Sequence, residues 1–261
     1  MAVAIEPDHT VITFDRPHKR NSMDLESWQS LARAVDAASA DPAQRAIIIR
    51  GDERSFCAGN DIDAMNALQG PQEARDYFIT GMLPTFRAIA ASPLPVIAVV
   101  EGAALGGGVE IVTWSDIVIA TETARFALPE AGIGVWATVY LGAMPSASDR
   151  RLGARMALAG DSLGREEAVS LGLATYGVDS TELEGTIDRV LTGIRSLGPD
   201  AVARSKRWLN RELLEDGMTA SERALEELSD ETLQGAEFRE RMDSFYAAKE
   251  ARRAQRAAQQ S

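Results

Sequence analysis

The chain predicts an α/β core followed by a helical C-terminal region. Short apolar runs of strand length alternate with helical patterns over the first half, strand signal fades after about residue 146, and no low-complexity linker separates the halves.

Residues 2–6 and 10–14 read as a hairpin, with Pro7, Asp8 and His9 in the turn. Ser22 reads as the N-cap of a helix in which Leu25, Trp28, Leu31, Ala32 and Val35 recur at helical spacing. The runs at 46–50, 95–100 and 117–120 read as buried strands, and the helical patterns between them imply largely parallel pairing. Beyond them, residues 150–158, 165–171, 183–194 and 200–214 read as helices. Residues 219–260 continue the helical pattern into a charged, alanine-rich tail. No solenoid-type repeat is present.

At 261 residues the chain can form one large domain, or a domain with an appendage, around a full core. The opening MAVAIEPDHTVITF lacks a basic leader, and the longest apolar stretch, around 94–100, is too short for a bilayer. A cytoplasmic protein with no membrane partner is expected. A net charge of −12 argues against broad nucleic-acid binding, which needs a basic face to neutralise phosphates. One cysteine, Cys57, cannot form an internal disulfide, and with only two histidines no metal site of the Cys/His kind is expected. A Ser–His or Cys–His nucleophile would have to use His9 or His18, both placed in turns or loops, so proton transfer falls to carboxylates.

Two segments share a plan of buried strand, small-residue turn and helix start. One runs from AIIIRG into Phe56-Cys57-Ala58-Gly59-Asn60-Asp61-Ile62. The other runs from PVIAVV into Glu101-Gly102-Ala103-Ala104-Leu105-Gly106-Gly107-Gly108-Val109-Glu110. Small residues admit close backbone approach, and first-turn N–H groups of a helix lack internal partners. Two such ends side by side could aim two donors at one oxygen, an oxyanion hole. Read singly, each is more simply a turn with tight helix–strand contact. Dinucleotide and P-loop readings fail on spacing: position 111 is isoleucine, and no G-K-[ST] follows. Glu110, in an apolar helix start, reads either as a chemical carboxylate or as a partner of the helix dipole. Glu130, after Pro129, reads alone as a solvated loop acid.

The runs FCAGNDI and PVIAVVEGAALGGGVEIVTWSDIVIATETARFALPE, in this order and spacing, closely resemble the crotonase superfamily, the enoyl-CoA hydratases and isomerases. RPHKRNSM, LAGDSLGREEAVSLGLA and VARSKRWLN extend the resemblance over most of the chain. The resemblance implies a crotonase-like ββα spiral core over residues 1–200. A helical trimerisation region would follow over 201–261, giving trimers or dimers of trimers. It implies oxyanion N–H groups from Asn60 and Gly107, and Glu110 and Glu130 as the two acid–base carboxylates. Glu130 would exchange the α-carbon proton and Glu110 would activate water for the β-carbon. The expected partner is an acyl-CoA thioester, with coenzyme A entering as part of the substrate and no separate cofactor. Hydration of a 2-enoyl-CoA is the implied reaction. Isomerisation, or a dehydratase, hydrolase or lyase variant, is the alternative chemistry, and a non-catalytic acyl-CoA- or RNA-binding paralogue is the alternative of another class.

Ala58, Asp61, Ile62, Trp136 and Tyr140 are expected to line the acyl pocket, although the two aromatics read equally as core. Arg16, Lys19, Arg20 and Lys249, with Arg252 and Arg253, form basic clusters that either meet the nucleotide phosphates or are simply solvated. Two departures from the family pattern bear on the substrate. Residues 131–141 read AGIGVWATVYL in place of a PGxGGTQRL-like stretch, and Asn60 stands where alanine is common, its amide expected within reach of a polar acyl substituent. Apolar residues of the C-terminal helices, including Leu225, Leu228, Phe238, Met242, Phe245 and Tyr246, are expected to need cover from a second copy.

Overall fold

The computed structural model describes residues 1–143 and 147–260, with side chains at 147–149, 253 and 256–260 left out. Arg253, of the expected basic tail, therefore lies outside the described side chains.

The chain steps repeatedly between two sheets. The larger holds β1 (Ala2–Ile5), β2 (His9–Thr13), β3 (Ala46–Arg50), β5 (Val96–Val100), β7 (Ile117–Thr121) and β10 (Tyr176–Val178), in that spatial order. The smaller holds β4 (Ser55–Cys57), β6 (Ala103–Leu105), β8 (Arg125–Ala127) and β9 (Leu163–Gly164). β1 pairs antiparallel with β2, and β2, β3, β5, β7 and β10 pair in parallel. Each central strand of the large sheet is followed by one of the small sheet and then by a helix or helical turn, a repeating ββα step. The helices are α1 (Leu25–Ala40), α2 (Ile62–Asn66), α3 (Gly70–Arg75), α4 (Leu83–Ala91), α5 (Gly107–Trp114) and α6 (Thr138–Gly142). They continue with α7 (Ala147–Ala157), α8 (Arg165–Ser170), α9 (Leu183–Arg195), α10 (Pro199–Leu209), α11 (Met218–Glu227) and α12 (Ala236–Gln260).

Burial explains why the central strands read as continuous apolar runs. In β3 and β5, Ile47, Ile49, Val96, Ala98 and Val100 face the main core. Ile48, Ile97 and Val99 face the amphipathic helix α9 through Leu183, Ile187, Val190, Leu191 and Ile194. The crossing from β5 to β6 turns at Gly102 with φ +63°, where a Cβ would lie 2.2 Å from the Arg54 carbonyl, so this corner accepts only glycine.

Several sequence expectations shift. The N-cap of α1 is Asp24, whose Oδ1 accepts from Ser27 N at 2.9 Å, and not Ser22, which is buried two residues earlier. His9 opens β2 instead of sitting in the turn. Two short strands, β9 and β10, occur after residue 146, and the helix expected to 214 ends at Leu209. Leu225, Leu228, Phe238 and Met242 are buried in their own chain's core, while Phe245 and Tyr246 are half-buried. The C-terminal apolar residues thus need no second copy to leave water. The buried ones pack into the main core cluster of their own chain. Among the described residues, no helix is long and apolar enough to cross a membrane.

A buried ion pair ties the C-terminal helices to the sheets. Lys206 of α10 donates through Nζ to the carbonyls of Ile89 and Leu94, each at 2.8 Å, and pairs with Asp116 Oδ2 at 2.6 Å. Asp116 also accepts from Val96 N at 2.7 Å and Asn210 Nδ2 at 3.2 Å. Burial lowers the lysine pKa, opposed by the Asp116 charge. Removing one member leaves the other desolvated, so Lys206→Ala is expected to lower unfolding free energy by about 3 kcal/mol. Urea titration of Lys206→Ala against Lys206→Ala/Asp116→Asn checks this, with the double variant expected to recover part of the loss.

Candidate active site

The two glycine-bearing turns meet between the sheets. β4 and β6 pair in parallel, which brings the segments that follow them, 58–61 and 106–108, side by side. Gly59, at φ +82°, lies so near that a Cβ would sit 2.7 Å from the Leu105 carbonyl and 2.9 Å from Gly107 N. A Cβ on Gly108 would lie 2.2 Å from the Cys57 carbonyl. Side chains are excluded here because backbone meets backbone.

This contact decides which N–H groups stay free. Met23 N donates to the Gly59 carbonyl and Asp61 N donates to the Met23 carbonyl, both at 2.8 Å. In an extended segment the groups at 59 and 61 point one way and the N–H of 60 the other. Asn60 N–H is therefore turned from Met23, and among the described residues it donates to no group of the chain. Gly107 is the first residue of α5, where a helix N–H has no internal acceptor, and its N–H is likewise undonated.

Asn60 and Gly107 line a cavity of about 410 Å³, of the size usual for small-ligand sites. Ala58, Ile62 and Trp136 also line it, and Glu110 and Glu130 reach it from different elements. Met65, Phe78, Met82, Val135, Leu228 and Phe245 make its walls mainly apolar. Phe78 and Met82 lie in the π-helical segment Asp76–Met82, and Leu228 begins another, Leu228–Thr232. These wider turns aim side chains that regular helices would space differently, and π segments are frequent at functional sites.

The two carboxylates are held differently. Glu110, 2% exposed, lies in the fourth position of α5. Its Oε1 accepts from the first-turn N–H groups of α6, Val139 at 2.9 Å and Tyr140 at 3.0 Å. Burial raises its pKa to about 7, and those two donors hold it from going higher. Glu130 opens a short helical turn after Pro129, and its carboxylate packs on Gly106, where a Cβ would lie 2.7 Å from Oε1. Its Oε2 is buried without a hydrogen-bond partner among the described residues. Burial first, and then the nearby Glu110 charge, raise its pKa to about 8.

Other expected residues are placed elsewhere. Tyr140 is not among the residues lining this cavity: it is buried and borders a separate groove with Val112 and Leu213, while its backbone N–H donates to Glu110. Asp61 caps α2 and pairs with Arg16 and Lys19, facing an adjoining outer cavity of about 420 Å³. Arg16 faces neither cavity, because Asp24, Asp61 and the Ser22 carbonyl take its guanidinium. The outer cavity is lined by His18, Lys19, Arg20, Asp63, Lys249 and Arg252, among others. Lys19 and Lys249 both pair with Asp63, whereas Arg20 borders both cavities and makes no side-chain hydrogen bond or ion pair among the described residues. The amide oxygen of Asn60 is not offered to the cavity. It accepts from Trp28 Nε1 at 2.8 Å, a contact that helical periodicity, which marks Trp28 only as a core residue, gave no means of finding.

A sequence model of the enoyl-CoA hydratase/isomerase family matches residues 8–256. A short-chain-enoyl-CoA hydratase of Clostridium acetobutylicum is 34% identical over 206 residues, 77% of this chain and 77% of that protein. A crotonyl-CoA hydratase of Syntrophomonas wolfei is 33% identical over 210 residues, 79% of each. Among solved structures, an enoyl-CoA hydratase/isomerase from Xanthobacter autotrophicus Py2 superposes with a TM-score of 0.83 at 29% identity, covering 96% of this chain and 97% of that one.

The raised pKa values carry a stability cost with a definite sign. Between the ordinary carboxyl pKa of 4.5 and about 8, the folded protein binds the Glu130 proton more tightly than the unfolded chain does. Stability is thus lost as pH rises through that window. Glu130→Gln, which cannot ionise, is expected to be more stable than the parent by about 1 kcal/mol or more at pH 8. The gap should close by pH 4.5; denaturant unfolding at both pH values checks it.

Proposed function

Because the chain belongs to the enoyl-CoA hydratase/isomerase family, we propose that it adds water across the double bond of a 2-enoyl-CoA. The observation that carries this reading is one apolar cavity shared by two undonated N–H groups, Asn60 and Gly107, and two differently held carboxylates, Glu110 and Glu130.

In this reading the thioester oxygen accepts from Asn60 N–H and Gly107 N–H. Glu110, the carboxylate with two backbone donors and the lower pKa, takes a proton from water. The hydroxide oxygen bonds to the β-carbon, and the alkene electron pair moves to build an enolate on the thioester oxygen. Each donor aimed at that charge contributes about 3 kcal/mol where such groups have been removed elsewhere. Glu130, with the higher pKa and no donor on Oε2, is the group still protonated, and it delivers its proton to the α-carbon. The pair ends with its proton exchanged between the two acids, and passage through solvent or from one acid to the other resets it. No electron leaves the substrate, so the chemistry calls for no redox group. Coenzyme A enters with the substrate, and the outer cavity, where Arg20 is unpaired and Lys19, Lys249 and Arg252 gather, is the natural seat for its phosphates. The apolar walls favour an apolar acyl chain.

Self-association into a trimer or dimer of trimers is part of the same proposal. It is supported by α10, where Trp208 is 65% and Leu209 81% exposed beside a groove of about 540 Å³ that Leu171 and Leu213 also line. Light scattering at micromolar concentration should give a trimer or hexamer mass that Leu209→Glu lowers; a monomeric parent protein rules the assembly out.

Glu130→Gln and Glu110→Gln are each expected to lower hydration at least ~100-fold, with the double variant little worse than the poorer single, since one proton-transfer unit is broken either way. Hydration rate and deuterium incorporation at the α-carbon are measured together. Glu130 should be required for both, and Glu110 chiefly for hydration. Normal hydration by Glu110→Gln, with double-bond migration dependent on Glu130 alone, replaces hydratase by isomerase.

A further inference from the structure

We propose that Trp28 is a positioning residue that holds both oxyanion donors in register through a single indole ring, an inference that rests on the assignment of Asn60 and Gly107 as donors. Trp28 Nε1 donates to Asn60 Oδ1 at 2.8 Å. An indole N–H is a donor only, so the atom facing it is the amide oxygen, and the amide cannot turn over without losing the bond. The side chain of the residue whose own N–H faces the cavity is thereby pinned. The benzo carbons next to that N–H pack on the second donor: a Cβ on Gly107 would lie 3.0 Å from Trp28 Cζ2 and 3.2 Å from Cη2. One rigid plane thus touches both residues that would hold the thioester oxygen.

The ring is itself immobilised. Trp28 is fully buried in α1, tilted against Phe86 of α4 with centroids 5.6 Å apart, and its carbonyl accepts from Thr85 Oγ1 at 2.9 Å. Tyr77 reaches the same amide oxygen, its hydroxyl donating to the Met23 carbonyl at 2.7 Å and lying 3.4 Å from Asn60 Oδ1. Met23 is the residue that bonds both Gly59 and Asp61, so the peptide bearing the Asn60 N–H is fixed at its two ends and at its side chain. Two donors on separate loops stabilise developing charge only if their spacing persists as the charge forms, and displacements of about 1 Å can cost ~100-fold in rate. Core packing alone explains a tryptophan here, but it does not explain an indole N–H directed at the side chain of a donor residue.

The test uses the full chain with Trp28→Phe, Asn60→Ala and the double variant. It also uses Trp28 replaced by benzothienylalanine, which keeps the ring shape and loses only the N–H. Turnover and KM on a 2-enoyl-CoA are measured beside the infrared carbonyl stretch of a bound, 13C-labelled saturated acyl-CoA. Loss of the N–H is expected to lower kcat about tenfold or more at nearly unchanged KM, and to move the carbonyl stretch back toward its position in free thioester. The double variant should be no worse than the poorer single, because both remove one bond. An unchanged kcat and carbonyl stretch in the benzothienyl protein, or losses that multiply in the double variant, overturn the proposal even if Trp28→Phe fails to fold. Failure of the donor assignment shows separately. In that case Gly107→Pro, which deletes the N–H, matches Gly107→Ala, which keeps it, and the carbonyl of the parent complex is unshifted.

Discussion

The contact on which the rest of the structure depends is the approach of backbone to backbone between Gly59 and the Leu105–Gly107 turn. A Cβ at Gly59 would fall 2.7 Å from one carbonyl and 2.9 Å from the neighbouring nitrogen, distances that no side chain survives. The small sheet exists to produce this approach. β4, β6 and β8 are each three residues long, too short to be stable alone. They form because the long parallel strands β3, β5 and β7 deliver them side by side. Buried strands of the large sheet supply the stability, and the small sheet uses it to hold two turns that would otherwise drift apart.

A site built this way is tense in its electrostatics. The apolar walls that would receive an acyl chain also desolvate Glu110 and Glu130, and two carboxylates in one cavity oppose each other's ionisation. Different anchoring settles which acid gives way. Glu110 receives two N–H groups from α6, so its charge is compensated; Glu130 receives none on Oε2 and sits against the bare backbone of Gly106. Two residues of the same chemical type thereby hold their protons differently, Glu130 the more tightly. That asymmetry is what an acid and a base sharing one substrate require, and it costs stability that the surrounding core must offset.

Much of this was legible in the sequence, and the limits were physical. AIIIR gives β3 with its bounds intact, because four buried residues in five leave no ambiguity of period. The glycine turns show as small-residue runs after buried strands, whereas Glu110 and Glu130 were singled out as a pair only through the family resemblance, Glu130 alone reading as a solvated loop acid. Three-residue strands fall below any window in which alternation can be counted, and the second sheet was therefore invisible. The basic cluster misled because charge says nothing of direction: Arg16 turns inward to Asp24 and Asp61, while Arg20, four residues on, is left unpaired at the cavity edge. Tyr140 and the C-terminal apolar residues misled in the same way. Hydrophobicity predicts that they leave water, not which surface covers them. Trp28 and Asn60 are 32 residues apart, and no pattern along the chain couples an indole to an amide at that range.

On the proposed function, the outer cavity is where an acidic protein would receive an anion. At an overall charge of −12, long-range attraction of a nucleotide phosphate is unfavourable, but ions screen such forces beyond roughly 10 Å. Within that range the count is different. Asp61 and Asp63 are already answered by Arg16, Lys19 and Lys249, and Tyr246 donates to Asp63 at 2.9 Å. Those acids fix the loop at 16–20 against α2 and α12, and so they set where the remaining cations stand. Arg20, without a counter-ion among the described residues and bordering the inner cavity as well, is the charge that a ligand spanning both cavities would meet. The acids at the cavity edge therefore act as scaffolding for the basic residues, and on the proposed function local pairing, not net charge, would decide what this edge accepts.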